Sequence, residues 1–228
     1  MKKVGLSGNA LKLIALITMT VDHVGLLLLP QYPVLRIIGR LAFPIFAYMI
    51  AEGCRYTRSM PRYFALMAAL AVGCQIVDFV VTGSLYQCIL VTFSLSILLT
   101  ALLRKALAQP TAVRWLAAAV AMAAVFFLTE LLPRLLPGTD YAVDYGFWGV
   151  LTPVVICLAK NKTAKLGMAA GMLILLGAGF GNIQIYALLA LPLLALYNGQ
   201  RGKWNMKYLF YIYYPAHLAV LHLIAMYR

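Results

Sequence analysis

Nine apolar runs, separated by short clusters of lysine and arginine, leave this chain little choice of fold. They lie near 10–29, 34–54, 62–82, 87–103, 113–132, 145–159, 165–180, 182–197 and 207–227. A helix needs about 20 apolar residues to cross a bilayer, and in hydrocarbon each backbone amide must be satisfied inside its own segment. With 64% hydrophobic residues and a mean hydropathy of +0.91, the 228-residue chain has too little polar surface to coat a soluble globule. The expected fold is all-α, a polytopic transmembrane bundle of about nine spans forming a single domain over 1–228. The runs 165–180 and 182–197 flank Gly177-Ala-Gly-Phe-Gly-Asn182 and form either two spans or a re-entrant hairpin.

A net charge of +13 would suggest nucleic acid in a soluble domain, but here the basic residues fall between apolar runs. Lys2, Lys3 and Lys12; Arg55, Arg58 and Arg62; Arg104, Lys105 and Arg114; Lys160, Lys162 and Lys165; and Arg201, Lys203 and Lys207 all fall on one side. By the positive-inside rule that side is cytoplasmic, which places the amino terminus inside and the carboxyl terminus outside. The other side keeps Arg134, Arg228, Asp140 and Asp144. Lipid is the partner this pattern requires, nucleic acid is excluded, and the expected location is the cell membrane, crossed many times. Met-Lys-Lys ahead of the first run imitates a signal peptide. No small-x-small site precedes Pro30, so the run is expected to be retained as a span. Cys54, Cys74, Cys88 and Cys157 show no paired spacing and are expected as free thiols.

Asp22 and His23 interrupt the first run, where an ionisable side chain is costly unless it faces protein or water. The second run answers with Arg36 and Arg40, four residues apart and so on one helix face. At 1.5 Å of rise per residue, Asp22 and Arg40 come out at about the same depth, roughly 10 Å from the hairpin turn. A pair between them is therefore allowed. Neighbouring helix positions diverge by about 100°, so Asp22 is expected to hold the arginines while His23 serves as a general base. Pro44 removes the amide that would bond the Arg40 carbonyl and predicts a kink there.

The remaining polar residues carry two readings each. His217 near mid-depth and His222 nearer the outer end serve either as interhelical hydrogen bonds or at a site. Asp144, with Tyr145 beside it, either caps the sixth helix or meets substrate from the outer side, where Asp78 and Glu130 also lie. Arg55, Arg58 and Arg62 either fix topology or capture phosphate, and the segment Tyr197-Asn-Gly-Gln-Arg-Gly-Lys-Trp204 adds Arg201 and Lys203 to the same side. Glu52 is expected to bridge Arg55. Gly167 and Gly171 predict close helix packing. The three histidines lack metal-ligand spacing, so no metal is expected.

The segment 7–25, containing Thr18-Met-Thr-Val-Asp-His-Val-Gly25, resembles the opening of the TraX proteins, whose founding member is associated with amino-terminal acetylation of conjugative pilin. Leu35-Arg-Ile-Ile-Gly-Arg-Leu-Ala-Phe-Pro-Ile-Phe46 with Ala51-Glu-Gly53 resembles the second segment of that family. Asp144-Tyr-Gly146, Tyr197-Asn-Gly-Gln-Arg-Gly202 and Tyr213-Tyr-Pro-Ala-His217 are similar to later segments, in order. The third and fourth segments depart from the pattern, with Gln75, Ile76 and Val77 where an acidic residue and a proline would precede Asp78.

TraX proteins are in turn similar to transmembrane acyltransferases that move acetyl groups from cytoplasmic acetyl-CoA to acceptors across the membrane. The resemblance implies one acyltransferase-like domain with His23 as the central catalytic residue, Arg36 and Arg40 beside it and Asp22 holding them. Candidate substrate contacts are Asp78, Asp144, Tyr145 and His217, and the candidate acetyl-CoA anchors are Arg55, Arg58, Arg62, Arg201 and Lys203. The acceptor would be an extracytoplasmic peptide terminus or glycan. Two other functions fit the same cluster: proton-coupled transport of an anion, and a non-catalytic assembly factor in which the polar groups only fix helix register.

Overall fold

The computed structural model describes residues 4–203 and 207–227. Among them every regular element is helical, with two isolated bridges, Leu6 to Tyr197 and Gln87 to Val143, in place of strands. Among the described residues five helices are long and apolar enough to cross a membrane: Gly8–Leu27, Pro33–Tyr56, Met60–Thr82, Ile89–Ala108 and Ala112–Leu135. Gly146–Leu158, Asn182–Ala195 and Ile212–Met226 are shorter apolar helices. The chain divides into two compact units, Met1–Met49 with Leu166–Arg228, and Ile50–Lys165.

In the first unit, α1 (Gly8–Leu27) begins where Ser7 accepts the Ala10 amide at 3.2 Å. The amides of Gly8 and Asn9 donate to the carbonyls of Gln200 and Arg201, at 2.7 and 2.9 Å, so a distant loop completes the cap. Leu11, Ala15, Thr18, Asp22 and Gly25 are all buried and recur at alternating steps of four and three. Asp22 therefore lies on the packing seam of α1.

The second apolar run is broken as expected. Pro33 opens α2 (Pro33–Gly39), Arg40 and Leu41 form a turn, and α3 (Ala42–Tyr56) resumes before Pro44. Two glycines allow α1 and α2 to approach. A Cβ on Gly25 would lie 2.7 Å from the Leu35 Cβ, and one on Gly39 would overlap the Asp22 carboxylate.

The second unit holds α4 (Met60–Thr82), α5 (Ile89–Ala108), α6 (Ala112–Phe126) and α8 (Gly146–Leu158). Between α6 and α8 run a π turn, Phe127–Leu131, and the short α7 (Leu132–Leu135). α4 is capped by Ser59 and ends at Gly83, whose φ of +70° suits glycine. Its apolar flanks are largely exposed, as on a helix that faces lipid. Leu99, Val125, Val150 and Val154 form a buried core where α5, α6 and α8 meet. Hydroxyls tie α5 to the α8 region: Ser96 donates to the Val150 carbonyl at 2.7 Å and Thr92 to that of Asp144 at 2.6 Å.

The stretch 165–197 is helical except at Gly181 and at its end, with α9 (Lys162–Phe180), a break at Gly181 (φ +90°), a 3-10 run Asn182–Ala190 and α10 (Leu191–Ala195) opened by Pro192, and α11 (Lys207–Met226) comes later. Nine residues is long for 3-10 geometry, which rarely exceeds three or four. Among the described residues the packing expected of Gly167 and Gly171 is not made, since none lies within 4 Å of a Cβ at either.

Gly39→Ala should lower stability by about 1–3 kcal/mol, because the added methyl has nowhere to go. Gly73→Ala, whose added methyl meets none of the described residues within 4 Å, should not. Thermal unfolding of the two variants in detergent measures the difference.

Candidate functional site

Asp22 is the centre of the first unit. Its Oδ2 accepts from Arg36 Nη1 at 2.5 Å, and Arg40 Nη2 donates to both carboxylate oxygens at 2.6 and 2.8 Å. Arg36 Nη1 also reaches the Asp22 main-chain carbonyl at 3.3 Å. The expected pair is thus a triad, with two guanidinium groups on one carboxylate and a formal charge of +1. Arg40 Nε donates to the Arg36 carbonyl at 3.3 Å, satisfying a carbonyl at the end of α2 where cations are favoured. Its Nη1 donates to Gln184 Oε1 at 3.1 Å. The Asp22 and Arg40 side chains are each 12% exposed and that of Arg36 27%, so Arg36 is the more open member.

His23 faces another direction, as the divergence of adjacent helix positions requires. Its Nδ1 lies 2.9 Å from the Met19 carbonyl, which only accepts, so Nδ1 carries the proton in neutral His23. His217 Nδ1 likewise donates to the Tyr213 carbonyl at 2.9 Å, which leaves its Nε2 as an acceptor 3.3 Å from His23 Nδ1. The two rings meet edge-on, with centroids 5.0 Å apart. His23 Nε2 is then the basic nitrogen. Tyr213 stacks on His217 at 5.3 Å, and its phenol donates to Thr20 Oγ1 at 2.7 Å, since the Thr20 hydroxyl is given to the Leu16 carbonyl.

His217 therefore joins His23, while Asp22, Arg36 and Arg40 form the adjoining cluster. Among the described residues no hydrogen bond links His23 to either arginine. Gln184, Thr20 and Tyr213 were not singled out from the sequence. Gln184 carries the same signal as Asp22, a polar side chain in an apolar run.

The other sequence-selected residues lie elsewhere. Asp144 Oδ1 accepts the Tyr86 phenol at 2.7 Å and does not cap α8. Glu130 takes that role instead, its Oε1 accepting the Phe147 amide at 3.1 Å. Tyr145 occupies the left-handed region at φ +60°. Asp78 is half-buried near the end of α4, and Gln75 clamps the adjoining loop through the Tyr86 carbonyl at 2.7 Å and the Cys88 amide at 3.2 Å. In the same loop region Asp140 accepts from the Ser84 hydroxyl and the Leu85 amide, which hold its carboxyl below the usual carboxylate range.

Arg55, Arg58, Arg62, Arg201 and Lys203 are exposed. Arg55 donates to the Ala159 carbonyl at 3.2 Å, and the carbonyls of the Arg201 segment face α1. Lys2, Lys3, Trp204 and Arg228 lie outside the described residues.

Glu52 corrects an expectation. Its partner is Lys165, in a buried ion pair within the second unit, and Arg55 points away to Ala159. Both side chains of the pair are 8% exposed, so neither charge has an alternative in water. Glu52→Gln should cost about 3–5 kcal/mol, and Glu52→Leu with Lys165→Met together much less, because the penalty lies in the orphaned charge. Unfolding of the single and double variants in detergent checks both values.

Over residues 7–225 the chain matches the family described as TraX protein. It is 26% identical to the probable fimbrial assembly protein FimC, serogroup H1, of Dichelobacter nodosus, over 96% of each chain. It is 53% identical over 40 residues to the uncharacterized protein RP591 of Rickettsia prowazekii, covering 18% of this chain and 16% of that one. No solved structure matches. A family match running from the cap of α1 to the last turns of α11 includes both the carboxylate–arginine cluster and the histidine pair, and the chain belongs to the TraX family.

Proposed function

We propose that this protein is an integral membrane acetyltransferase, moving an acetyl group from cytoplasmic acetyl-CoA to an amine or hydroxyl at the outer side of the cell membrane. The acceptor is a peptide amino terminus, such as that of a pilin, or a surface glycan. In this reading the helices make nine crossings with the amino terminus inside, and the candidate phosphate anchors for the donor are Arg55, Arg58 and Arg62 of the second unit and Arg201 and Lys203 of the first. TraX membership and the fimbrial-assembly name of a full-length relative support the reading. The observation that carries it is chemical: α1 presents a histidine of fixed tautomer next in sequence to a carboxylate that pins two guanidiniums.

The step follows from these groups. The acceptor's lone pair forms a bond to the thioester carbon while His23 Nε2 takes the acceptor's proton. The carbonyl π pair moves onto oxygen, where Arg36 and Arg40 stabilise the developing charge without reorganising. The carbon–sulfur bond then breaks, and the thiolate leaves with the proton from His23. His217 holds the ring from behind, and Asp22 fixes the arginines in place. The charged donor stays on the basic side, and only the acyl end enters the apolar region.

Acetyl transfer or acetyl-CoA hydrolysis by purified protein tests this. His23→Ala should lower the rate about 10²- to 10⁴-fold. Arg40→Lys should lower kcat about 10²-fold at unchanged expression, because an ammonium cannot hold both Asp22 and a substrate oxygen. A wild-type rate from His23→Ala would remove the base from the scheme. Anion uptake into proteoliposomes without acetyl-CoA dependence would favour transport.

A further inference from the structure

Gln184 is 2% exposed, and its Nε2 finds no hydrogen-bond partner among the described residues. The orientation of its carboxamide is not free. Arg40 Nη1 lies 3.1 Å from Oε1, and a guanidinium has no acceptor to offer, so the amide must turn its oxygen to Arg40 and its two N–H bonds away. A buried donor without an acceptor is an expense that a fold rarely keeps. Here it is kept beside a cation, on a 3-10 run of unusual length.

We infer that Gln184 Nε2 is a second oxyanion donor, which with Arg40 receives the carbonyl oxygen of the acyl group during transfer; this rests on the acyl-transfer reading. The chemistry selects the ligand. Nε2 can only donate, so its partner must be an acceptor, and the adjacent guanidinium favours an oxygen on which negative charge develops. The acyl oxygen is such an atom: it gains the carbonyl electron pair as the acceptor attacks and returns it when the carbon–sulfur bond breaks. Arg40 polarises the carboxamide through Oε1, which strengthens the N–H bonds as donors. Nε2 is already out of water, so it needs no desolvation when the charge appears.

Two substitutions separate this role from anchoring of Arg40. Gln184→Met removes donor and acceptor at similar length, whereas Gln184→Glu keeps an acceptor for Arg40 and removes the N–H groups. Both should lower kcat for acetyl transfer about 10²- to 10³-fold with little change in KM for acetyl-CoA. The Glu variant should not unfold at a lower temperature than the wild type. A Glu variant at wild-type kcat, alone or beside a slow Met variant, would assign Gln184 to anchoring and overturn the donor role.

A readout without turnover is the infrared carbonyl stretch of bound S-acetonyl-CoA, a ketone that cannot transfer its acyl group. The stretch should lie lower on the wild type than on either variant, and the same stretch on all three would overturn the proposal. Absence of both transfer and ketone binding in the wild type would overturn the acyl-transfer reading and this one together.

Discussion

One carboxylate answering two guanidiniums is the interaction on which the first unit depends. Asp22 lies on the seam of α1, so its charge is carried into the packing and not out to the surface. An arginine cannot shed its proton there, and each of the two must find an anion or water. The solution is geometric: Gly25 and Gly39 remove the methyls that would hold α1 and α2 apart, and the turn at Arg40 and Leu41 leaves room for the fork. Remove the carboxylate, and the hairpin keeps two cations without the anion that joins them.

The histidine pair depends on the same helix by a different face. α1 cannot point Asp22 and His23 in one direction, so the imidazole takes its orientation from α11, through His217 and the Tyr213 to Thr20 bridge. The result places the carboxylate–arginine cluster and the histidine pair on neighbouring faces of α1. In the second unit the polar groups do quieter work, with hydroxyls joining α5 to α8, Glu130 capping α8 and Glu52 holding Lys165.

Much of this was legible in the sequence because lipid makes polar residues conspicuous. Apolar run lengths marked about nine spans, five of which are long helices among the described residues, the cost of charge singled out Asp22, and helical rise put Arg40 level with it. Pro44 marked the break at Arg40. What escaped notice lies in three-dimensional partnership. Glu52 had Arg55 one turn away and chose Lys165, because a buried charge takes the partner that is equally dry. Asp144 had the right residue type for a cap, but its carboxylate was taken by Tyr86, and Glu130 reached across instead. Gln184 went unremarked because an amide carries no charge, although burial makes its unmet N–H groups nearly as telling.

The most direct test encloses deuterated acetyl-CoA inside sealed vesicles carrying the purified protein and supplies a peptide amine or glycan hydroxyl only outside. A polar cluster arranged for transmembrane acyl transfer predicts labelled acetyl groups on the external acceptor, with free coenzyme A retained inside, in the wild type but not in Asp22→Asn. Label on the acceptor at equal rates in both proteins, or no label in either, would contradict it.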